Sequence, residues 1–511
     1  MIKRALISVA DKEGILEFAR ELDKMGVEIV SSGGTANFLR GFGIPVTDVE
    51  QITDFPEMMD GRLKTLHPRI HGGILGRATS EDRSLQSLHG IPRFDLVCVD
   101  LYHLVEYAND PDRTLLEVLD KVDIGGPTMI RGAAKNYHHG VTVICSLEHR
   151  SLVIKELKEH GRVREPMRAK LATEVFALMT RYNSVIASRM ADEYGENFLV
   201  IAGTNGETLR YGTNPHQITA GVHYNEEDYK ILYAGKDLSY TNWEEIAWAV
   251  EMINHFDMEK ACAIFKHLSP CGVALAENTS LAFKRAWSGD PLSAFGSTVA
   301  INGLVDEATV DLMEDKFFET LICFNISQEA LNKLVASHGN IRIIQTNKLL
   351  FGRLQRETKM KMGICLIQEP DTFLPELTNF IQAGKKEATQ KQLEELIFAA
   401  TCCKFLSSNA TAITRRKKMI GYGRGGASRV EVCQRAVESA NNNEHGLNQS
   451  VAVTDGFFPF PDGLEVLAKA GIKVIAGPNA PTAGLRRKKV IAKADELGVA
   501  FYYLDHRLFR H

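Results

Sequence analysis

Short apolar runs alternate with amphipathic segments along most of this 511-residue chain. In the first 145 residues the runs are only four to six residues long, which favours buried strands over helices. Strands that alternate with helical segments are typical of an α/β domain with a largely parallel sheet. The four predicted strands are Ala5–Val9, Val27–Val30, Phe94–Val99 and Val141–Cys145.

A long amphipathic helix and a glycine-containing loop then divide the chain. Apolar residues recur at three- and four-residue steps from Leu171 to Met190, which predicts a helix that buries one face. Gly203, Gly206 and Gly212 follow in a polar stretch, so we predict domains at residues 1–199 and 200–511. The second region is long enough for two packed subdomains, although no internal repeat is visible. Its predicted strands are Ala261–Phe265, Ser297–Ile301, Leu321–Phe324, Ala410–Thr414, Val451–Val453 and Lys473–Ala476, and its predicted helices include Trp243–His255 and Arg429–Ala440.

Charge and cysteine content exclude several classes of protein. Sixty Lys and Arg residues against 64 Asp and Glu residues give a formal net charge of -4, so we predict no nucleic-acid or membrane partner. No apolar stretch is long enough for a membrane span or a signal-peptide core. The nine cysteines form no CxxC pair, which favours free thiols, a cytoplasmic location and no obligate metal.

Two polar segments of the first domain suit an anionic ligand. Ser31–Thr35 follows a predicted strand and opens a helix, so its free N–H groups offer a phosphate site or an ordinary helix cap. Lys12 follows the first strand and could neutralise a phosphate there. Arg62 and Lys64 alternate in an extended loop, which turns both cations to one side. Asp123 and Lys135 add a carboxylate and an amine, the groups needed for acid and base chemistry.

In the second region, Lys266 and His267 directly follow an apolar strand. Such a dipeptide is usually a surface feature, but strand ends are where α/β active sites collect. Further polar candidates lie at Arg210–Gln217 and Asp290–Gly296. Gly421–Gly426 contains GxGxxG, but a second strand with the acidic residue of a dinucleotide fingerprint is missing, so no such cofactor is predicted. Four basic residues at Arg415–Lys418 predict a solvated hairpin tip.

Taken in order, these motifs resemble the bifunctional purine biosynthesis family, which joins AICAR transformylase to IMP cyclohydrolase. The resemblance covers nearly the whole chain. Its motifs in the first domain are SVADK (Ser8–Lys12), SSGGT (Ser31–Thr35), GRLKTLHP (Gly61–Pro68), HGGIL (His71–Leu75), VDLY (Val99–Tyr102), DIGGPTMIR (Asp123–Arg131) and AAKN (Ala133–Asn136). Those in the second are RYGTNPHQ (Arg210–Gln217), KHLSPCGVA (Lys266–Ala274), DPLSAFG (Asp290–Gly296), SNA (Ser408–Ala410), SRV (Ser428–Val430), FFPFPDG (Phe457–Gly463) and RLFRH (Arg507–His511).

This resemblance implies a fold and an assembly. The N-terminal domain is expected to be a methylglyoxal-synthase-like, doubly wound α/β domain. The C-terminal region is expected to hold two cytidine-deaminase-like α/β subdomains without zinc. The family also implies a homodimer that takes AICAR, formyl-AICAR, IMP and folate, with 10-formyltetrahydrofolate as the cosubstrate.

The resemblance also implies roles for particular residues. In the cyclohydrolase site, Asp123 is expected on the base, and Lys135 and Tyr102 are expected to assist ring closure. In the transformylase site, His267 is the expected general base and Lys266 the expected oxyanion or leaving-group partner. The expected ligands of the nucleotide phosphate and neighbouring groups are Lys12, Ser32, Gly33, Gly34, Thr35, Arg62, Lys64 and Thr65. The expected AICAR ligands are Arg210, Tyr211, Phe295, Gly296, Glu319, Asn409, Arg429 and Arg507, and the expected folate ligands are Val430, Phe457 and Asp462.

Departures from the family pattern lie mainly on the folate side. Ser407 stands where members usually carry Lys, and Gly426 where they carry Gln. These departures leave three alternatives open: an enzyme with cyclohydrolase activity alone or an altered formyl donor, a methylglyoxal-synthase-like lyase, and a non-catalytic AICAR- or IMP-binding regulator. The lyase alternative leaves the second region unexplained.

Overall fold

The computed structural model divides the chain into two compact units, Met1–Asn205 (unit 1) and Gly206–His511 (unit 2). The predicted boundary lies beside this division, although the assignment of one activity to each domain stays a prediction. The structure describes residues 2–59, 61–101, 104–108, 110, 112–195, 206–224, 228–256, 259–347, 357–362, 364–479 and 484–511.

Within its described residues, unit 1 is built on one five-stranded sheet. Its strands are β1 (Arg4–Ser8), β2 (Glu28–Ser31), β3 (Thr47–Asp48), β4 (Leu96–Val99) and β5 (Thr142–Ile144). The order across the sheet is β3-β2-β1-β4-β5, and all four neighbouring pairs are parallel. The four strands expected from apolar runs are therefore present, and the short edge strand β3 is an addition.

Helices cover both faces of this sheet, which gives the doubly wound architecture expected for the first domain. Burial of one Leu, Ile or Val side chain contributes about 1.5–3 kcal/mol, and Leu6, Val30, Val97 and Val143 are all fully buried. The helices are α1 (Ile15–Lys24), α2 (Gly33–Gly41), α3 (Val49–Thr53), α4 (Pro68–Leu75), α5 (Ser80–Leu88), α6 (Leu104–Ala108), α7 (Leu115–Asp120), α8 (Gly125–Lys135), α9 (Glu148–His160) and α10 (Glu165–Tyr194), with a 3-10 turn at Tyr137–His139.

The strand order reverses at β1, which lies between β2 and β4. In open α/β sheets, ligands bind outside the carboxyl ends of the strands at such a reversal. Residues that follow β1, β2 and β4 therefore meet at one edge of the sheet.

The described part of unit 2 contains two six-stranded mixed sheets and two small hairpins. The first sheet has the order β10-β9-β11-β12-β13-β8 and the second has the order β16-β21-β20-β19-β17-β18, with strand bounds given at the end of this paragraph. The hairpins are formed by β6 with β7 and by β14 with β15. The strands are β6 (Gly206–Leu209), β7 (Ala220–His223), β8 (Tyr229–Ala234), β9 (Lys260–Lys266), β10 (Ser269–Ala276), β11 (Ser297–Val305), β12 (Phe318–Ile326), β13 (Arg342–Thr346), β14 (Glu357–Lys361), β15 (Ile364–Gln368), β16 (Phe380–Gln382), β17 (Thr411–Thr414), β18 (Met419–Gly423), β19 (Val451–Thr454), β20 (Val474–Pro478) and β21 (Ala500–Leu504).

The two large sheets repeat one topology. Read from β10 and from β18, each sheet has two antiparallel pairs, then two parallel pairs, then one antiparallel pair. Each strand of β8–β13 thus has a counterpart in β16–β21. The sequence showed no repeat because only the order and burial of the strands are shared.

Two helices of unit 2 occupy matching places in this repeat, since α11 packs on β9 and β11 and α16 packs on β17 and β19. Gly421 and Gly423 lie in β18, where an added Cβ would meet backbone oxygens of α17 at 2.5 and 2.0 Å, so these glycines serve packing. The helices are α11 (Tyr240–Asn254), α12 (Thr279–Trp287), α13 (Pro291–Ala294), α14 (Glu307–Asp311), α15 (Gln328–Ser337), α16 (Gln390–Lys404), α17 (Arg429–Asn442), α18 (Asp462–Lys469) and α19 (Gly484–Glu496), with a 3-10 turn at Leu377–Asn379.

Among the described residues, no helix is both long and apolar enough to cross a bilayer. The same residues contain no group of three or more His, Cys, Asp or Glu side chains arranged to hold a metal ion. The expectation of no obligate metal remains a prediction.

Candidate functional site

The amino-terminal end of α2 presents free backbone N–H groups at the ligand-binding edge of unit 1. Ser32 is the N-cap residue, with an extended backbone (φ −144°, ψ 155°). Gly33, Gly34 and Thr35 follow it, and N–H groups in a first helical turn have no intrahelical acceptors. The positive end of the helix dipole adds to this, so the turn suits a phosphate or another anion.

Lys64 lies against this helix end. A Cβ atom added to Gly33 would lie 2.6 Å from Lys64 Nζ, and Gly33 has a positive φ of 52°. The ammonium group also pairs with Glu57 Oε2 at 2.5 Å. Residue 33 therefore favours glycine for its backbone conformation, and the end of the lysine side chain lies directly over it.

Lys12 supplies a second cation at the same place. Its Nζ lies 3.2 Å from Thr35 Oγ1, which in turn donates to the carbonyl of Val9 at 3.0 Å. Burial lowers the pKa of Lys12, while Asp100 and Asp11 raise it and Arg150 lowers it further. The structure thus brings together Lys12, Thr35 and the start of α2, as the sequence predicted for a phosphate site.

Asp100 and Arg150 form an ion pair near Lys12. Neither residue was assigned to the site from the sequence. Asp100 Oδ1 accepts from the N–H of Ala10, and Oδ2 pairs with Arg150 Nη2 at 3.0 Å. Burial raises the pKa of Asp100, against the opposing effect of its hydrogen bonds and cations. The available signal was position, because Asp100 directly follows β4 at the strand reversal.

Asp123 and Thr65 form a second group at the start of α8. Asp123 Oδ1 accepts from the N–H of Gly126 at 3.0 Å, and its own N–H donates to Tyr182 Oη at 2.7 Å. Burial raises the pKa of Asp123, while the N–H groups of Gly126 and Gly125 lower it. Thr65 Oγ1 lies 2.8 Å from the position of a Cβ on Gly125. Residues 64 and 65 therefore link the starts of α2 and α8.

The remaining unit 1 candidates are placed differently. Arg62 pairs with Asp120 at 2.8 Å, and both side chains are exposed. Lys135 is exposed at the last position of α8, about 15 Å along the helix axis from Gly125. The role of Lys135 in ring closure, which the family resemblance implies, stays a prediction. Tyr102 lies outside the described residues.

In unit 2, Lys266 and His267 lie at the turn between β9 and β10. His267 and Leu268 both have positive φ values, 52° and 62°, although neither is glycine. His267 is exposed, and its N–H donates to Glu245 Oε1 at 2.7 Å. Lys266 Nζ donates to the carbonyl of Gly296, which directly precedes β11. The turn therefore presents an imidazole and an ammonium group at one end of the sheet.

Phe295 and Glu319 lie at the neighbouring strand starts. The exposed ring of Phe295 packs against Phe317 with centroids 4.8 Å apart, and the N–H of Gly296 donates to the carbonyl of Phe317 at 2.8 Å. Glu319 pairs with Arg342 at 3.2 Å. The buried Arg342 therefore holds one carboxylate oxygen of Glu319.

The half-buried Asn409 and the buried Arg429 form a polar group near the starts of β17 and α17. Arg429 Nη2 donates to Asn409 Oδ1 at 2.8 Å, and Asn409 Nδ2 donates to the carbonyl of Gly426 at 2.9 Å. Arg429 also pairs with the fully buried Asp455. The guanidinium group is thus largely engaged inside the protein, so it orients Asn409 rather than facing open solvent.

One loop joins these two parts of unit 2. Arg424 Nη1 donates to the carbonyl of His267 at 3.3 Å, and the N–H of Gly425 donates to the carbonyl of Ser407 at 2.8 Å. The segment from Arg424 to Gly426 therefore connects the Lys266–His267 turn with the Asn409 group. No sequence pattern indicated this connection.

The other unit 2 candidates are mostly exposed. The guanidinium carbon of Arg210 lies 5.3 Å from the ring centroid of Tyr211, and that of Arg507 lies 4.4 Å from the ring of Phe509. A Cβ on Gly456 would lie 2.5 Å from Arg429 and 2.7 Å from Phe509, which brings the C-terminal segment beside Arg429. Among the expected folate ligands, Val430 is half-buried in α17, Phe457 is exposed after β19, and Asp462 begins α18.

A doubly wound unit with cations at a helix start, followed by a duplicated mixed-sheet unit with a Lys-His turn, defines a two-part α/β enzyme. Two family models match the chain: "AICARFT/IMPCHase bienzyme" over residues 133–439 and "MGS-like domain" over residues 14–128. The chain therefore belongs to the AICARFT/IMPCHase bienzyme family. Its activities are AICAR formyltransferase and IMP cyclohydrolase, the two activities that the family resemblance implied.

Full-length relatives agree with this assignment. "Bifunctional purine biosynthesis protein PurH" of Acidithiobacillus ferrooxidans is 38% identical over 527 residues, which cover 100% of this chain and 99% of the relative. The protein of the same description from Persephonella marina is 38% identical over 524 residues and 100% of both chains. A solved structure titled "Crystal structure of ForH" is 32% identical and covers 37% of this chain and 100% of that chain, but its TM-score of 0.34 supports no argument.

Proposed function

We propose that unit 1 closes the purine ring and unit 2 transfers the formyl group, in two separate sites. The observation that carries this division is the pair of cations at the start of α2. Lys64 Nζ lies over Gly33, and Lys12 Nζ lies 3.2 Å from Thr35 Oγ1. This arrangement supports binding of a nucleotide phosphate in unit 1, while the Lys266–His267 turn lies in unit 2.

In this proposal the phosphate of formyl-AICAR binds at the start of α2. Free N–H groups would donate to the phosphate oxygens, and the two ammonium groups would balance its charge. Glu57 pairs with Lys64 in the free protein, so the phosphate would share or replace that partner. Arg62 pairs with Asp120 in solvent, so it would contribute less to phosphate binding than Lys64 does. The proposed phosphate ligands are Lys12, Ser32, Gly33, Gly34, Thr35 and Lys64.

Ring closure needs proton transfer at three atoms. The carboxamide nitrogen adds to the formyl carbon and loses one proton, and the formamide nitrogen loses a second proton as its double bond to that carbon forms. The formyl oxygen takes up both protons and departs as water. Asp123 suits this chemistry because its carboxyl group lies beside Thr65 at the start of α8, where burial raises its pKa above the ordinary value. Thr65 lies beside the same helix start and could bind the base or the departing oxygen. Tyr102 would assist, as the family resemblance implies.

Formyl transfer would take place at the Lys266–His267 turn. The 5-amino nitrogen of AICAR attacks the formyl carbon, His267 accepts the proton that this nitrogen loses, and the donor nitrogen departs after protonation. An ammonium group has three donors, and Lys266 uses one of them on the carbonyl of Gly296. Another could stabilise the developing oxyanion or protonate the leaving nitrogen.

AICAR would bind along the surface that connects the two parts of unit 2. Asn409 is held from both sides, by Arg429 and by the carbonyl of Gly426, so its amide is oriented before substrate binds. Arg429 would therefore help to bind AICAR mainly by holding Asn409 in place, with its own guanidinium group fixed by Asp455. The remaining proposed AICAR ligands are Arg210, Tyr211, Phe295, Gly296, Glu319 and Arg507.

The formyl donor proposed here is 10-formyltetrahydrofolate, which supplies an activated one-carbon unit. Phe457 offers an exposed aromatic ring for a flat heterocycle, and Val430 and Asp462 lie on α17 and α18, which pack against each other. Ser407 and Gly426, the departures from the family, adjoin Asn409. The residues present therefore fit the donor with fewer polar groups than the family usually provides.

We also propose a homodimer and a cytoplasmic location. The hairpin of β14 and β15 exposes Met360, Met362, Ile364 and Leu366 to solvent, and exposed apolar side chains grouped in this way favour an interface. All nine cysteines are free thiols, as in reducing compartments. Sedimentation of the wild type beside a Met362→Lys/Ile364→Lys variant tests the dimer, since a monomeric wild type would exclude it.

The direct test of the proposed function is one assay with two readouts. Pure protein is mixed with AICAR and 10-formyltetrahydrofolate, and formyl-AICAR and IMP are separated and measured over time. IMP should form, with formyl-AICAR as the intermediate. If IMP forms from supplied formyl-AICAR but not from AICAR and 10-formyltetrahydrofolate, the folate-dependent half of the proposal is wrong.

A further inference from the structure

The turn that carries Lys266 and His267 has an unusual backbone. Lys266 and Ser269 pair across it, so His267 and Leu268 form a two-residue hairpin loop. Both loop residues have positive φ, the pattern of a type I′ turn, which normally selects Asn and Gly. A side-chain-bearing residue in this region is held there by its surroundings. Neither His267 nor Leu268 therefore explains the turn by itself.

A buried carboxylate supplies the missing constraint. Glu245 lies in α11, on the face that packs against β9 and β11, and is only 9% exposed. Its Oε1 accepts from the N–H of His267 at 2.7 Å, and its Oε2 accepts from Thr298 Oγ1 at 2.8 Å. The first bond fixes the turn, and the second fixes the same carboxylate to β11.

A second bridge runs between the same two elements. Lys266 Nζ donates to the carbonyl of Gly296, two residues before Thr298. The turn and the start of β11 are thus joined once through the side chain of Glu245 and once through that of Lys266. Movement of the turn would change the positions of His267 and Lys266 relative to Phe295 and Gly296.

The repeated subdomain contains a comparable arrangement without the Lys-His pair. Arg416 and Lys417 also have positive φ values, 53° and 55°, in the loop between β17 and β18. The buried Glu395 of α16 accepts from the N–H of Lys417 at 2.8 Å. A buried glutamate therefore holds a loop N–H in both turns, that of the first loop residue in one and of the second in the other. Only the turn of His267 is proposed to act on substrate.

We propose that Glu245 is a positioning residue for formyl transfer. Its carboxylate holds the amide of His267, and this contact presents the imidazole beside Lys266 at the end of the sheet. This inference rests on the proposed role of His267 as the general base. Glu395 is the matched residue whose contact serves the fold alone.

The test uses the full-length protein with Glu245→Ala, Glu245→Gln and Glu395→Ala. A displacement of about 1 Å at a reacting group can reduce turnover about 100-fold. Glu245→Ala should therefore lower kcat for formyl transfer between about 10- and 100-fold, with KM for AICAR little changed. Glu245→Gln keeps an acceptor for the His267 N–H, so it should recover a large part of kcat. Ring closure of supplied formyl-AICAR should be unchanged in all three variants.

Two comparisons separate positioning from a general loss of folding. Glu395→Ala should reduce thermal stability as much as Glu245→Ala does, yet keep kcat within about twofold of the wild type, because the turn that Glu395 holds carries no group proposed to act on substrate. Glu245→Ala combined with His267→Ala should be no slower than His267→Ala alone, since both act on one group. Equal kcat losses in Glu245→Ala and Glu395→Ala, or fully additive losses in the double variant, would overturn the inference. If His267→Ala keeps normal formyl transfer, the proposed function of His267 is wrong instead.

Discussion

Lys64 Nζ lies 2.6 Å from the point that a Cβ on Gly33 would occupy. The ammonium group thereby stands at the positive end of α2, a place where a cation is unfavourable unless an anion is also present. Glu57 partly supplies that anion in the free protein, with its Oε2 at 2.5 Å from Nζ. A cation held against a helix start by a replaceable carboxylate is suited to exchange that partner for phosphate.

Lys64→Met should therefore weaken the cyclohydrolase. Loss of a charge-assisted contact to phosphate should cost about 1–3 kcal/mol, seen mainly in kcat/KM for formyl-AICAR. Arg62→Met is the matched control, because Arg62 lies two residues away in the same loop but pairs in solvent with Asp120. Steady-state kinetics of both variants give the comparison. An equal effect of the two substitutions would show that the loop carries a diffuse charge and not a defined site.

The two activities should separate by mutation. His267→Ala should abolish formyl transfer but leave the rate of ring closure of supplied formyl-AICAR within about twofold of the wild type, because His267 lies in unit 2 and the proposed ring-closing residue Asp123 lies in unit 1. Asp123→Asn should do the reverse, since the amide cannot exchange a proton as the carboxyl group does. Each variant is assayed for both reactions after circular dichroism has confirmed its fold. Loss of both activities in either variant would contradict two independent sites.

Arg507→Met should impair formyl transfer and spare ring closure. The guanidinium group is exposed beside Phe509, close to the Asn409 and Arg429 group. Removal of a contact to the AICAR phosphate should cost about 1–3 kcal/mol of binding free energy, which would appear as a higher KM for AICAR. Arg210→Met provides a second test of the same assignment. Unchanged KM for AICAR in both variants would remove these residues from the site.

Stability of unit 2 should depend on pH through Glu251. Burial raises the pKa of Glu251 to about 7, while Lys404 lowers it. The folded state therefore binds this proton more tightly than the unfolded state, so the contribution to stability is present below pH 4.5 and is lost as pH rises through 7. Glu251→Gln cannot ionise, and relative to the wild type it should gain on the order of 3 kcal/mol between pH 4.5 and 8. Urea unfolding across this range measures the difference, and a gain that does not change with pH would exclude Glu251 as its source.

The folate side should be weaker than the AICAR side. Ser407 and Gly426 replace a cation and an amide of the family, and one lost polar contact typically costs about 1 kcal/mol, or several-fold in affinity. KM for 10-formyltetrahydrofolate should therefore be high while KM for AICAR is ordinary, and Ser407→Lys should lower the former. Gly426→Gln is a poor second test, because a Cβ there would lie 2.5 Å from Val432. Formate with ATP is tested as another donor system, and tight use of the folate by the wild type would contradict this expectation.

Much of the architecture follows from local patterns. Apolar runs located four strands of unit 1 and six strands of unit 2, because buried strands need uninterrupted apolar side chains. Short or polar strands such as β3 and β14 left no such pattern. The repeat in unit 2 was also invisible, since sheets tolerate many apolar sequences when volume and burial are kept.

Ordered motifs were sufficient to identify the family and to select Lys12, Lys64, Asp123 and His267, because strand ends and helix starts can be recognised along the chain. Only the folded chain decided which groups meet. It separates Lys135 from Asp123 by the length of a helix, engages Arg429 with Asp455, and places Glu245 under the turn of His267. These outcomes depend on the packing of helices against sheets between residues far apart in the chain, and no local spacing records that packing.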